Sequence, residues 1–214
     1  MTFALAMNLP DGVLLLGDRR RTFHNSDGST TTKDGVTKLI KISEDLYAIG
    51  LGIEFVTYSV IVNVSDAVDK IKSPESLLDV VKEKFKICWE AHTSLYKGPN
   101  LDHIETAIIF AGIINNQPFF LQYSLNRKPT INTEIFKVLA EGGNGIGNEL
   151  LQNIQIKCSN GTLYNVKKGP INKILEIIIN TSRDHIFKNE SIEYGVGGGI
   201  NCVVIRNKFT NYFI

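Results

Sequence analysis

The sequence predicts an α+β fold in which two β-sheets lie face to face between two layers of helices. The chain has 214 residues, of which 43% are hydrophobic and 21% charged, a balance typical of one soluble domain with a substantial core. Apolar periodicity divides it into strands, two helices, strands, two helices and strands, and this grouping favours α+β layers over alternating βαβ units. A four-layer αββα sandwich spanning residues 1–214 would bury every apolar face.

The first predicted element is a β-hairpin. Residues 3–7 and 13–16 are apolar runs without helical spacing, and the triplet Pro10-Asp11-Gly12 between them is typical of a turn. Residues 22–35 are polar and predict either a flexible loop or an extended hairpin. Residues 38–42 and 46–51 predict a second hairpin around a polar turn.

The middle of the chain predicts two helices that cover one sheet face. Apolar residues recur every three or four positions over residues 53–72. Ser73 followed by Pro74 predicts the start of a second helix, with Ser73 as N-cap, and that helix extends towards Tyr96.

The second half of the chain again groups strands with strands and helices with helices. Strands are predicted over five segments and helices over two, with glycine-rich segments at 142–147 and 195–199. The predicted strands are residues 105–114, 119–123, 133–139, 200–205 and 209–214, of which the last two form the closing pair, and the helices are residues 148–156 and 171–187.

Composition excludes several classes of function. The net charge of +1 gives no basic field for nucleic acid, and no apolar run is long enough for a membrane span or resembles a signal peptide, so we expect a cytoplasmic protein. Cys88, Cys158 and Cys202 are far apart and predict reduced core residues, and the four histidines have no metal spacing. Residues 142–147 lack a nucleotide-binding pattern. We therefore expect no cofactor and no metal.

The start of the chain carries the candidate chemistry. A buried strand that begins beside Thr2 would hold this residue fixed, and removal of Met1 would leave a threonine with both a hydroxyl and a free α-amine. A hydroxyl needs an adjacent base, and an α-amine, with a reference pKa of about 7.7–8.0, suits that task. Lys38 is a candidate for a neighbouring ammonium, and Asp18 for the carboxylate that holds it.

These motifs resemble the N-terminus of proteasome β-type and bacterial proteasome-related subunits, which are N-terminal-nucleophile hydrolases. Thr2, Gly12, Asp18 and Arg20 fall at the family's intervals, and Val36-Thr37-Lys38-Leu39 matches the strand that holds the family's lysine. The resemblance covers about the first quarter of the chain.

The resemblance implies the four-layer αββα fold and a threonine peptidase. Thr2 would be the nucleophile, Lys38 would tune its amine, Asp18 would anchor Lys38, and the Gly52 N–H would bind the oxyanion. Asn144 would replace the serine of a family Gly-Ser-Gly turn. The implied partners are identical subunits in a ring, peptide substrates and an ATP-dependent unfoldase.

Two departures from the family keep other interpretations open. Tyr194 and Gly197 occupy positions where eukaryotic and archaeal members have an Asp and a Ser. The alternatives are a catalytically inactive proteasome-like scaffold and an amidase that acts on a small amide. Asp18 and Lys38 could also be a structural ion pair, and Gly52 could serve only a tight passage from strand to helix.

Overall fold

The computed structural model describes residues 2–25, 27–96, 104–142, 146–157, 171–189, 196–206 and 209–213. Within these residues the chain forms two five-stranded antiparallel sheets, a separate two-stranded hairpin and four α-helices. The protein is therefore a mixed one of helices and antiparallel sheets, as the α+β prediction requires. None of the helices in these ranges is both long enough and apolar enough to cross a bilayer.

The first sheet contains the strand that follows Thr2. In spatial order its strands are β10 (Val138–Glu141), β1 (Ala4–Leu9), β2 (Gly12–Asp18), β11 (Ile200–Arg206) and β12 (Phe209–Phe213). Every residue of β1 and β2 is buried, because both strands are internal to the sheet and covered on both faces. Ala4 pairs with Gly17, and Asp18 pairs with Ile200.

The second sheet is built from the middle of the chain. Its strands, in spatial and sequence order, are β5 (Leu39–Ser43), β6 (Leu46–Leu51), β7 (Ala107–Ile114), β8 (Gln117–Ser124) and β9 (Thr130–Asn132). Residues 22–35, predicted as a loop or an extended hairpin, contain the hairpin of β3 (Arg21–His24) and β4 (Thr30–Lys33).

Within the described ranges four helices cover the sheets: α1 (Glu54–Ser65), α2 (Pro74–Leu95), α3 (Ile146–Lys157) and α4 (Ile171–Lys188). The predicted start of α2 is confirmed. The Ser73 hydroxyl accepts a hydrogen bond from Ser76 N at 3.2 Å, and the Ser76 hydroxyl accepts one from Ser73 N at 2.9 Å. This reciprocal capping box satisfies two backbone donors at the helix start.

Among the residues that the structure describes, three apolar clusters form the core. Side chains of the first sheet such as Leu5 and Leu16 pack against α3 and α4. Val13, Ile49 and other inward residues fill the space between the two sheets. The outer face of the second sheet packs against α1 and α2, and this cluster includes the buried free Cys88. Cys202 is also buried and is not part of a disulfide, and Cys158 lies outside the described residues.

Two predicted elements were wrong in extent. The helix predicted over residues 53–72 ends at Ser65, and a short 3-10 turn over Val68–Lys70 follows it. Of the strand predicted over residues 133–139, only Val138 and Leu139 belong to a strand, β10, and residues 133–137 connect β9 to β10. The chain bends between β9 and β10 because Phe136 has a φ of +64° and donates its N–H to Asn8 O at 2.8 Å.

Candidate active site

The candidate site lies where corresponding ends of the two sheets meet. In the first sheet β1 begins here and β2 ends here, because Ala4 pairs with Gly17. In the second sheet β5 begins and β6 ends at this place, because Leu39 pairs with Ile49. The two ends adjoin closely, since a methyl group on Gly17 would lie 2.2 Å from Cδ1 of Ile49.

At this point the Lys38 side chain contacts both of its predicted partners, Thr2 and Asp18. Its Nζ donates to Asp18 Oδ1 at 2.8 Å and to the Thr2 hydroxyl oxygen, Oγ1, at 3.2 Å. The Asp18 side chain is fully buried, and the Lys38 side chain is 11% exposed. The structure therefore brings together Thr2, Asp18 and Lys38. Lys41 instead pairs with Glu44 in an exposed position.

Backbone groups fix the Asp18 carboxylate. Phe3 N donates to Oδ1 at 2.8 Å, while Arg20 N and Gly197 N donate to Oδ2 at 3.2 and 3.4 Å. Asp18 N in turn donates to Phe3 O at 3.2 Å. A buried carboxylate needs such donors to offset its loss of hydration. The residue next to Thr2 is thus held by the same carboxylate that holds Lys38.

Burial dominates the electrostatics of the pair. It raises the pKa of Asp18 above the usual range, and the Lys38 ammonium and the backbone donors oppose that rise. Burial also lowers the pKa of Lys38, against the attraction of Asp18. Lys38 is therefore an ammonium that loses its proton more readily than a surface lysine does.

Gly52 lies at the passage from β6 to α1. Its φ is +84°, and a Cβ at this position would lie 2.3 Å from Glu105 O and 2.8 Å from Thr106 Cα. Only glycine fits this conformation and this space without strain. The structural role considered for Gly52 is thus present, and the residue lies at the sheet end where Lys38 is found.

Sequence reasoning missed two ion pairs beside the site. Arg20 binds the Asp34 carboxylate through Nε and Nη2 at 2.7 and 2.8 Å. Arg21 pairs with Glu54 in the first turn of α1. Glu54 raises the pKa of Lys38 and Arg21 lowers it, each by a smaller amount than burial and Asp18 do. The family motif indicated Arg20, but the polar segment that contains Asp34 has no periodicity that could have indicated its partner.

The remaining predicted positions have different outcomes. Asn144 and Tyr194 lie outside the described residues. Gly197 brings a backbone N–H to Asp18 in the segment where the family has a hydroxyl. Among the residues that the structure describes, no group of three or more His, Cys, Asp or Glu side chains is arranged to hold a metal ion.

In comparisons with known proteins, no protein-family model matches the chain and no curated protein matches it with significance.

Proposed function

We propose that the chain is a threonine-type peptidase of the N-terminal-nucleophile class, with Thr2 as its nucleophile after removal of Met1. The observation that carries the proposal is the position of Lys38 Nζ, 2.8 Å from Asp18 Oδ1 and 3.2 Å from Thr2 Oγ1. A hydroxyl, an ammonium and a buried carboxylate that are joined by hydrogen bonds at a strand start form a site in which each group orients the next.

The α-amine of Thr2 is the base in this mechanism. The Lys38 ammonium favours the neutral, proton-accepting form of the amine, because two positive charges repel each other at short range. The amine takes the proton of Oγ1, directly or through water, as Oγ1 attacks the peptide carbonyl carbon. The Gly52 N–H stabilises the oxyanion.

Collapse of this intermediate completes the cleavage. The C–N bond breaks, the leaving nitrogen takes the proton from the amine, and an ester remains on Thr2. Water then attacks the ester, gives a proton to the amine, and releases the acid product while Oγ1 is protonated again. Asp18 keeps its charge throughout and holds Lys38 in place.

The order of the three apolar clusters supports the same assignment. Helices, sheet, sheet and helices follow one another in the packing, an order that fits the four-layer αββα sandwich of N-terminal-nucleophile hydrolases.

The proposal includes a cytoplasmic ring of identical subunits that receives peptides from an ATP-dependent unfoldase. The outer face of α1 offers apolar surface for such assembly, because Phe55, Tyr58 and Val62 are exposed there at helical spacing.

One observation favours a second candidate, an inactive scaffold with the same fold. Gly197 has no side chain, and the contact that the described residues of its segment make with Asp18 is a long backbone hydrogen bond of 3.4 Å. A scaffold would keep the ion pair of Asp18 and Lys38 as a structural contact and would not cleave peptides.

The test combines intact mass with hydrolysis of fluorogenic peptides. We expect the purified protein to lack Met1 and to cleave peptides, and we expect Thr2→Ala to abolish cleavage. Lys38→Met should lower the rate by about 10²-fold or more, because it removes the group that keeps the base neutral. Lys41→Met is the matched control and should stay within about twofold of wild type, because Lys41 pairs with Glu44 on the surface.

Two results would decide for the scaffold. One is retention of Met1 without cleavage above the Thr2→Ala background. The other is cleavage that Thr2→Ala leaves unchanged, which would indicate a contaminating peptidase. Native mass spectrometry of the same sample would give the number of copies in the assembly.

A further inference from the structure

Arg20, whose backbone N–H donates to Asp18 Oδ2, forms a two-pronged ion pair with Asp34. Arg20 Nε donates to Asp34 Oδ1 at 2.7 Å, and Nη2 donates to Oδ2 at 2.8 Å. The Arg20 side chain is 9% exposed and that of Asp34 is 48% exposed. Two parallel hydrogen bonds between planar groups fix the orientation of both partners, which a single contact would not do.

The pair also holds the glycine segment, defined here as residues 196–199. Arg20 Nη1 donates to Val196 O at 3.5 Å. Gly198 lies against Asp34, since a Cβ at Gly198 would be 2.9 Å from Asp34 Oδ1 and its φ is +70°. Glycine at this position lets the backbone rest on the carboxylate.

The glycine segment in turn reaches Asp18. Gly197 N donates to Asp18 Oδ2, and Arg20 N donates to the same oxygen. Arg19 N donates to Gly197 O and to Gly199 O, each at 3.0 Å. Both donors to Oδ2 therefore belong to backbone segments that the ion pair connects.

The residues that precede Lys38 are hydrogen-bonded to Arg19, which directly follows β2. Val36 N donates to Arg19 O at 3.0 Å, and Arg19 Nη2 donates to Gly35 O at 3.1 Å. Asp34 begins this short stretch, residues 34–36, and Lys38 lies two residues after Val36. The ion pair thus connects two parts of the chain. One is the glycine segment, which supports Asp18, and the other is the stretch that leads to Lys38.

We propose that Asp34 is a positioning residue, which acts through Arg20 to keep the Asp18 carboxylate and the Lys38 ammonium aligned with Thr2. The proposal rests on the proposed peptidase activity. Without Asp34 the glycine segment and the stretch before Lys38 lose their common anchor. Asp18 then holds Lys38 less firmly, and the ammonium moves away from Thr2 Oγ1.

The first test is the kinetics of Asp34→Asn in the full chain. We expect kcat, counted per site titrated with an acylating peptide β-lactone, to fall about tenfold or more, because a small misplacement of a catalytic group is costly. KM should stay within about twofold. The matched control is Asp11→Asn, which removes the similarly exposed pair of Asp11 and Arg206 at the opposite end of β2 and should leave kcat unchanged.

A double variant tests whether the two residues act as one unit. Arg20→Lys keeps the charge but loses the fork, so it should lower kcat in the same direction as Asp34→Asn. The combination should be no slower than the slower single variant, because both remove one ion pair. Fully multiplied effects, or an unchanged kcat in Asp34→Asn, would overturn the proposal. Arg20→Lys also serves as the milder variant if Asp34→Asn does not fold.

A second measurement separates this proposal from the peptidase assignment. The carboxyl ¹³C resonance of Asp18, followed by NMR against pH, reports the support of Asp18 without any substrate. Asp34→Asn should move the titration midpoint of Asp18 to higher pH, because Oδ2 loses firmly held donors, and Asp11→Asn should not. A shift in a protein that hydrolyses no peptide would retain the positioning role and refute the peptidase. An unchanged midpoint would refute the positioning role.

Discussion

Lys38 is surrounded by charges of both signs. Asp18 and Glu54 raise the pKa of its ammonium, while burial and Arg21 lower it, and burial is the largest influence. The net direction is downward from the ordinary value of 10.5. Since the proposed mechanism requires the positively charged form, activity should fall as the pH rises through this lowered pKa. The alkaline limb of the kcat profile is therefore expected below pH 10.5.

Two substitutions should move that limb in opposite directions. Glu54→Gln removes a negative charge that raises the pKa of Lys38, so the limb should move to lower pH. Arg21→Met removes a positive charge that lowers it, so the limb should move to higher pH. The measurement is kcat against pH for both variants. Shifts in the same direction would show that the limb does not report Lys38.

At this scale the sequence predicted the side chains that meet at the candidate site better than it predicted the residues that support them. Lys38 and Lys41 lie three residues apart, so strand alternation places them on opposite faces without showing which of them faces the site. The family resemblance favoured Lys38, the lysine that contacts Asp18. Asp34 could not be identified, because its partner lies 14 residues away across a hairpin whose exposed polar residues follow no apolar pattern. Pairings of this kind depend on tertiary structure alone.

At the scale of the secondary-structure elements, two glycines with positive φ differ in how crowded their surroundings are. Gly52 ends the passage out of β6 with a φ of +84° and with Glu105 O close to its Cα hydrogens. Gly28 has nearly the same φ, +81°, but nothing lies within 4 Å of the place where its Cβ would be. These two glycines separate backbone strain from crowding in a single protein.

We expect Gly52→Ala to be much more destabilising than Gly28→Ala. The second variant has only the left-handed strain of about 1–2 kcal/mol. The first adds a clash with the backbone before β7, which typically costs a further ~1–3 kcal/mol. Urea unfolding of both variants gives the comparison. Equal losses of stability would contradict the crowding seen at Gly52.

Local signals explain which elements were predicted correctly. The start of α2 depends on Ser73 and its immediate neighbours, and such a signal is complete within four residues. The interruption between β9 and β10 depends instead on Asn8, whose side chain donates to Asn132 O at 2.9 Å across 124 residues. No pattern within residues 133–139 could have indicated that contact.

At the scale of the whole molecule, the two sheets interlock beside the site. The absence of a side chain at Gly17 leaves the space that Cδ1 of Ile49 occupies. Gly17→Ala should therefore be destabilising through a clash, and Ile49→Val by about 0.5–1.5 kcal/mol through loss of a buried methyl group.

The double variant Gly17→Ala/Ile49→Val should lose less free energy of unfolding than the two single variants lose in sum. Valine lacks the Cδ1 atom with which the new methyl group clashes, so one change relieves the other. We expect a coupling free energy of roughly 0.5–3 kcal/mol in urea unfolding. Strict additivity would show that the sheets do not meet at this point.

The pairing of β2 with β11 also has a consequence for the timing of synthesis. Thr2, Asp18 and Lys38 leave the ribosome early, but Gly197, which donates to Asp18, follows Asp18 by 179 residues. Until β11 is made, β2 has an open edge and the carboxylate lacks one of its donors. Thr2, Asp18 and Lys38 are thus present long before the Gly197 donor, and a nascent or truncated chain has these side chains without the finished support of Asp18. For the proposed peptidase, completion of the chain would be the step that completes the site.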